Sequence, residues 1–234
     1  MNLFCASSFA AEGETPAPAS AGFFSIVFSG GPVGIAITVL LLLLSLTTAY
    51  LIFDHMLSIR RRDLIPEGLP ELVQQALTNG DIKAAQQACS DRPSMLSFVL
   101  LQGISDIEFG WSAVEKTLEE SLAEQSARLF RKLEYLSVIA NVGPMLGLLG
   151  TVTGMIMAFK RVAETQGTAS APQLAEGIYS ALVTTVLGLI IAIPAIGAFA
   201  VFRNRIDQYV AEAAYLAQHV FTPLRRKAKL RKES

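Results

Sequence analysis

The chain has 234 residues, of which 52% are hydrophobic and 17% are charged, and its formal net charge is −1. So large an apolar content with so few charges excludes an ordinary soluble globular domain. The small net charge conceals a strong segregation of basic residues along the chain.

Three stretches of membrane length contain no charged residue: 15–53, 135–159 and 177–202. About 20 apolar residues suffice for a helix to cross the hydrocarbon core of a bilayer. The sequence therefore predicts an all-α integral membrane protein. It has three transmembrane helices and a helical cytoplasmic domain, and long helices extend spans two and three into the cytoplasm. The predicted division is a periplasmic N-terminal segment, 1–30; transmembrane helix 1, 31–55; a cytoplasmic helical domain, 56–134; transmembrane helix 2, 135–160; a periplasmic loop, 161–176; transmembrane helix 3, 177–202; and a cytoplasmic C-terminal helix and basic tail, 203–234.

Basic residues cluster on one side of the predicted membrane. Three arginines at 60–62 follow span one, and six lysines and arginines crowd residues 225–232. The loop between spans two and three has only Lys160 and Arg161, which Glu164 partly offsets. By the positive-inside rule, the C-terminus is expected in the cytoplasm and the N-terminus outside. The tail lacks the interleaved aromatic residues of a nucleic-acid-binding segment, so we expect its partner to be the lipid bilayer and not nucleic acid.

The first residues resemble part of an export signal. They have an apolar start and small side chains at Ser8 and Ala10, as in a cleavage site, but no basic n-region. A short exported tail and the stub of a processed leader are both open.

The residues that most often carry enzyme or metal chemistry are isolated. Cys5 and Cys89 fall on opposite sides of the predicted membrane, and neither lies in a metal-ligand spacing. His55 and His219 have no nucleophile or carboxylate partner in a known catalytic motif. We therefore expect no enzyme, no metal site and no cofactor.

Local signals divide the segment between spans one and two into short helices. Pro70 suits a first helical turn, and that helix is expected to end near 79–80, an Asn-Gly pair. Asp81 is expected to cap a second helix, which Pro93 ends, and Ser94 to cap a third. The sequence thus predicts a small helical domain here.

A longer helix is expected next. Ser112 and Glu115 form a capping-box pattern, and nothing breaks the following helix before span two, so a continuous helix is expected from 113 to 159. Such a helix would be roughly 70 Å long, and it would project well beyond the bilayer.

Span two carries a stripe of glycines. Their spacings of four, three and four residues place them on one helical face: Gly143, Gly147, Gly150 and Gly154. Small residues let transmembrane backbones approach closely, because lipid supplies no hydrophobic drive for helix association. The stripe is expected to pack on another helix, and Thr151 lies beside it.

Span three combines small and hydroxyl residues. Ser180, Thr184 and Gly188 share one face, Thr185 lies on a neighbouring face, and Pro194 removes one backbone donor. Threonine hydroxyls in a membrane helix commonly bond to backbone carbonyls and serve packing. Their concentration on the two glycine-rich spans favours a pore.

The two motif spans carry a family resemblance. Residues 147–155, GLLGTVTGM, and residues 181–195, ALVTTVLGLIIAIPA, resemble the ExbB/TolQ/MotA proton-channel family. Chain length, three spans and the insertion between spans one and two are similar to its ExbB/TolQ branch. The resemblance implies a bacterial inner-membrane protein without a cofactor. It also implies a pentamer around a dimer of a single-span partner, ExbD or TolR, which supplies an intramembrane aspartate.

The same resemblance implies that Thr151 and Thr185 line the central pore near that aspartate. We expect Ser180 and Thr184 to belong to the same proton pathway. Because the spans contain no charged residue, this chain cannot supply the titrating group itself. It can supply a hydroxyl-lined sheath around one.

The sequence departs from the family pattern at one position. Close relatives read Gly-Ile-Ala-Glu-Ala-Leu where residues 177–182 read Gly-Ile-Tyr-Ser-Ala-Leu, so Ser180 stands at the family carboxylate. Glu176 lies one turn earlier and is a candidate outer-mouth carboxylate. The alternative, a solvated residue at a helix start, is favoured by its position, because negative charge suits the N-terminal end of the helix dipole.

The expected function is a motor or stator subunit that uses the proton motive force to energise a periplasm-spanning protein, TonB-like or TolA-like. The alternatives are a TolQ-like role in envelope maintenance and a membrane-anchored helical scaffold that conducts no ions. Sodium in place of protons is also open.

Overall fold

The computed structural model describes residues 31–166 and 171–225. The predictions for residues 1–30, including Cys5, and for the tail beyond Arg225 lie outside the described residues. Within the described ranges the chain is helical and has no strand. The helices are α1, Gly31–Ser58; α2, Arg61–Leu64; α3, Leu69–Asn79; α4, Ile82–Asp91; α5, Met95–Ser105; a 3-10 helix, Ile107–Phe109; α6, Trp111–Glu164; and α7, Ala171–Val220.

Three of these helices, α1, α6 and α7, are long and apolar enough to cross a membrane. This confirms the prediction of an all-α membrane protein with three spans. Helix α6 has 54 residues and helix α7 has 50, so they are about 80 and 75 Å long at 1.5 Å per residue. Both are more than twice as long as the roughly 30 Å hydrocarbon core requires. They continue through Pro144 and Pro194.

Local capping accounts for two of the helix starts. The Asp81 side chain accepts from the Ala84 amide at 3.0 Å. Ser94 and Ser97 form a reciprocal capping box at the start of α5. Both starts agree with the predicted ones, because each depends on a side chain within three residues of the amide that it satisfies.

The predicted start of the long helix is wrong by a few residues. Gly110 is the capping residue of α6, with φ of 94°, and no side chain caps the helix there. Ser112 therefore lies inside the helix and cannot act as its cap. The glycine reverses the chain with a positive φ, which favours glycine over other residues, so the turn takes the place of a side-chain cap.

We call residues 59–110 the helical insertion. Its core is shared with the two long helices, since its buried leucines and valines contact the extensions of α6 and α7. The largest fully buried side chains of this core are Ile65, Leu69, Val73, Leu96, Val99, Leu100, Leu133, Leu136, Ile206, Val220 and Phe221. The insertion therefore packs against α6 and α7 and shares one core with them.

Polar contacts join the insertion and the two long helices. Arg61 donates from Nη2 and Nε to Glu212 on α7, at 2.6 and 3.2 Å. The Arg225 guanidinium lies 5.5 Å from the ring centre of Trp111, the first residue of α6. The first contact joins the insertion to α7, and the second joins the segment after α7 to the start of α6.

A buried histidine joins the three spans where they meet the insertion. His55 on α1 is 3% exposed, and its Nε2 lies 3.0 Å from the backbone oxygen of Lys132 on α6. Its ring packs edge-on to Phe202 on α7, at 5.8 Å between ring centres. Since a carbonyl oxygen can only accept, Nε2 is the donor. His55 is isolated in the sequence, because its contacts come from residues far away in the chain.

Candidate functional site

The glycines of α6 lie directly against α7. A Cβ atom placed on Gly147 would lie 2.9 Å from the Cα of Thr185. One placed on Gly188 would lie 2.6 Å from the backbone oxygen of Gly143, closer than side chains ever approach backbone in real proteins. The two backbones are therefore in contact, and only glycine permits that contact at these positions.

The close contact continues toward the loop between α6 and α7. A Cβ atom on Gly154 would lie 2.6 Å from that of Ala181, and one on Gly177 would lie 2.9 Å from that of Ala158. The sequence analysis named Gly154 but not Gly177 or Ala158. The spacing of four residues between Gly154 and Ala158, both small, was a signal that could have found the extended stripe.

Two threonines of α7 bond to the backbone of α6 at one glycine. Thr185 Oγ1 donates to the Gly147 oxygen at 3.0 Å. Thr184 is buried, and its Oγ1 lies 2.7 Å from the Ala181 oxygen and 3.3 Å from the Gly147 oxygen. With no Cβ on Gly147, its carbonyl can approach both hydroxyls. We call Thr151, Thr184 and Thr185 the threonine cluster.

Thr151 lies one helical turn beyond Gly147 on α6. Its Oγ1 donates to the Leu148 oxygen at 2.8 Å. Thr153, two residues on, bonds to the oxygens of Leu149 and Gly150 in its own helix. Thr151 and Thr185 are half-buried, whereas Thr184 is buried.

Thr151 and Thr185 lie on the side of the α6–α7 pair that is turned away from α1. Helix α1 packs through Ile37 and Leu41 against Ile139 of α6 and Ile191 of α7. With about 100° between successive helical residues, Thr151 and Thr185 point away from these contacts. We call this side the open face.

Ser180 and Glu176 lie in a different place. They line a small cavity of ≈ 40 Å³ together with Gly154, Met157, Ala158, Arg161 and Gly177. The described lining of this cavity contains none of the threonine cluster. Glu176 is exposed and lies more than one turn inside α7, so the helix-start interpretation applies to it only weakly, because the dipole effect fades beyond the first turn.

The sequence that carries the cluster matches a known family. A model of the MotA/TolQ/ExbB proton channel family matches residues 94–214, which is more than half of the chain. The chain belongs to this family. The match runs from Ser94 to within α7 and so includes the whole threonine cluster and its glycine stripe.

Individual members of the family are also similar to this chain in sequence. The biopolymer transport protein exbB1 of Vibrio cholerae is 32% identical over 165 residues, which are 64% of this chain and 72% of the relative. ExbB of Salmonella typhimurium is 35% identical over 121 residues, 52% of this chain and 49% of the relative. The Tol-Pal system protein TolQ of Pseudomonas aeruginosa is 30% identical over 114 residues, 49% of each. The chain thus matches about half the length of the latter two.

The site of this MotA/TolQ/ExbB family member offers only oxygen atoms. Spans two and three have no charged side chain, so the polar groups near Gly147 are hydroxyls and backbone carbonyls. Such groups can bind water, a protonated acid or a cation. They cannot themselves take up and release protons at ordinary pH, and a proton relay here would need a titrating group from another chain.

Proposed function

We propose that this chain is the ring-forming subunit of a proton channel in the bacterial inner membrane. With an ExbD/TolR-like single-span partner, it would use the proton motive force to energise a periplasm-spanning, TonB-like protein. The observation that carries the proposal is the threonine cluster at Gly147, built on two tightly packed spans without any charge. Two of its hydroxyls, those of Thr151 and Thr185, lie on the open face and bond to backbone oxygens, which suits the surroundings of a carboxylic acid supplied by a partner.

The proposed assembly is a pentamer around two copies of the partner, with the N-terminus periplasmic and the C-terminus cytoplasmic. The half-buried position of Thr151 and Thr185 supports a contact of the open face with another chain, because this face has no partner within the described chain. Large apolar side chains beside them are also exposed, among them Leu148 and Leu189. In the ring, the open face would meet the partner helices and neighbouring subunits.

The proposed mechanism couples protonation to movement. An aspartate of the partner would be protonated from the periplasmic side, change its preferred contact among the subunits, and release the proton to the cytoplasm. A charge that crosses 100 mV yields about 2.3 kcal/mol, so several protons are needed for a sizeable mechanical step. Glu176, Ser180 and Arg161 would form the outer mouth of the path.

The relatives include ExbB proteins and a TolQ protein at similar identity, so they do not separate an ExbB-like role from a TolQ-like one. A TolQ-like role in envelope maintenance is the second candidate. A scaffold without ion conduction is disfavoured, because a pure anchor needs no hydroxyls gathered between two spans. Sodium is the alternative to the proton as the transported ion, since carbonyl and hydroxyl oxygens can bind either ion.

The proposal is tested by coexpression with an ExbD/TolR-like single-span protein. We expect five copies of this chain and two of the partner by native mass spectrometry. We also expect partner-dependent acidification of liposomes under an imposed proton gradient, unchanged when potassium replaces sodium. A stable monomer, or a complex that conducts no ions, would contradict the proposal. Flux that requires sodium would identify sodium, and not the proton, as the transported ion.

A further inference from the structure

The basic tail begins far from the membrane. The uncharged stretch of span three ends at Phe202, and α7 continues without a break to Val220. At 1.5 Å per residue, Arg225 lies about 35 Å beyond Phe202. The segment from Arg225 to Lys232 spans at most about 25 Å. Its basic residues can therefore approach the lipid headgroups only when the chain is almost fully extended, which is costly in conformational entropy.

Packing fixes the point from which the tail leaves the described chain. Phe221 is fully buried, and a Cβ atom on Gly103 of α5 would lie 2.9 Å from its Cζ. The Arg225 guanidinium lies 5.5 Å from the ring centre of Trp111, a distance at which the ring attracts a cation. The tail therefore starts beside the first turn of α6.

The surface around this point is aromatic and acidic. Phe109 is 79% exposed, and Trp111 is half-buried. Glu108 adjoins Phe109, and Glu115 lies one helical turn after Trp111, on the same face of α6. We call Glu108, Phe109, Trp111, Glu115 and Glu119 the distal patch.

The carboxylates of the distal patch lack a cation among the described residues. Lys116 is the single basic residue between Asp106 and Glu120, and it lies 3.8 Å from Glu120. Asp106 accepts a hydrogen bond from Thr117. Glu108, Glu115 and Glu119 form no ion pair with any described residue. Three negative charges thus lie unpaired beside the start of a basic segment.

We propose that residues 226–232 dock on the distal patch of their own chain. This segment reads RKAKLRK, so it offers five basic side chains for the three carboxylates and one leucine for the exposed Phe109. It needs no extension to reach them, because Arg225 already contacts Trp111. The docked tail closes the cytoplasmic end of the α6–α7 pair and keeps its charges away from lipid. Exposed ion pairs are individually weak and are screened by salt, so the contact is reversible.

Trp111 is the one tryptophan of the chain, so its fluorescence reports docking. The test measures quenching by acrylamide, which is uncharged, in the intact chain in lipid nanodiscs. Replacement of the five basic residues of the segment 226–232 by glutamine should raise the quenching constant roughly twofold, because it uncovers the indole. The matched control, Lys83→Gln with Arg131→Gln, removes exposed basic residues elsewhere and should leave the constant unchanged.

Salt and charge exchange identify the contact. One molar salt shortens the Debye length to about 3 Å, so it should raise the wild-type constant to that of the glutamine variant and leave the variant unchanged. Glu108→Lys with Glu115→Lys should raise the constant to the same value. Adding Lys227→Glu and Lys229→Glu to that variant should lower it again.

The lipid of the nanodisc distinguishes the competing partner. We expect the same wild-type constant in discs of phosphatidylcholine and in discs that also contain phosphatidylglycerol. A wild-type constant that rises to the variant's value only with phosphatidylglycerol would place the tail on anionic lipid and overturn the proposal. Equal constants in the wild type and the glutamine variant would also overturn it, since the tail would then be undocked. Neither result bears on ion conduction, because the measurement uses this chain without a partner.

Discussion

At the scale of single residues, the direction of each hydroxyl bond separates threonines that look alike in the sequence. Thr184 is buried and has two carbonyls beside it, while Thr185, the next residue, reaches across to Gly147. Thr153 bonds within its own helix. The sequence analysis placed Ser180 and Thr184 with Thr185 in one pathway. In the structure Thr184 packs between the helices, and Ser180 lines the cavity beside Glu176.

Replacement of a threonine by valine tests the pore role at this scale. Valine is nearly isosteric, so Thr151→Val and Thr185→Val should assemble. Under the proposed function, each removes an oxygen that would contact the proton carrier in a low-dielectric site. We expect partner-dependent proton flux into liposomes to fall by roughly five- to 150-fold, the equivalent of about 1–3 kcal/mol. Thr153→Val should retain most of the flux. Wild-type flux from both pore variants would reduce these threonines to a packing role.

At the scale of the helix, α6 and α7 behave as one element. Their backbones touch from Gly143 opposite Gly188 to Ala158 opposite Gly177. Both continue beyond the membrane to form the core with the helical insertion. In lipid, such a pair is held by van der Waals contact and by hydrogen bonds such as that from Thr185 to Gly147. Burial of apolar surface adds little stabilisation there, because lipid is itself apolar.

One added methyl group should therefore distinguish contact positions from open ones. Gly188→Ala places a Cβ 2.6 Å from the backbone oxygen of Gly143, and neither backbone can yield without separating the helices. We expect a loss of roughly 1–3 kcal/mol, seen as a lower temperature at which the ring dissociates in size-exclusion chromatography after heating. Gly197→Ala is the matched control, since it lies in the same helix with no atom within 4 Å of its Cβ. Equal stability of the two variants would contradict the packing described here.

At the scale of the whole molecule, the insertion and the loop between α6 and α7 lie at opposite ends of the long helices. The proposed orientation puts the insertion in the cytoplasm. Labelling of the native Cys89 is a poor test of this orientation. It is 1% exposed, and burial raises the pKa of its thiol to about 11, so only on the order of one thiol in three thousand is ionised at pH 7.5.

New cysteines at exposed positions can report the orientation. In a Cys5→Ser background, we expect a membrane-impermeant maleimide to label Ala163→Cys in intact spheroplasts and Ser90→Cys only after lysis. Both positions are exposed. Cys89 should stay slow after lysis and should react once the protein is denatured, which makes it an internal control one residue from Ser90. Labelling of Ser90→Cys in intact spheroplasts would reverse the orientation.

The sequence by itself determined the class of the molecule and the local features of its helices. Three uncharged stretches are enough to predict three spans, because the cost of charge in hydrocarbon acts on each stretch separately. The starts at Asp81 and Ser94 followed for a similar reason, since a cap and the amide it satisfies are three residues apart. The start of α6 could not be predicted in this way, because the residue before the helix is Gly110, with a positive φ, and not a residue with a capping side chain.

The tertiary structure alone decided which polar groups meet. Helical periodicity tells which residues share a face, but it leaves open the rotation and axial register of one helix against another. Here the register is set by backbone contact at Gly143 and Gly188, and that contact brings Thr185 to the oxygen of Gly147. The burial of His55 against α6 and α7 has the same origin. Each of these contacts depends on two segments far apart in the chain, so their position follows from packing and not from either segment alone.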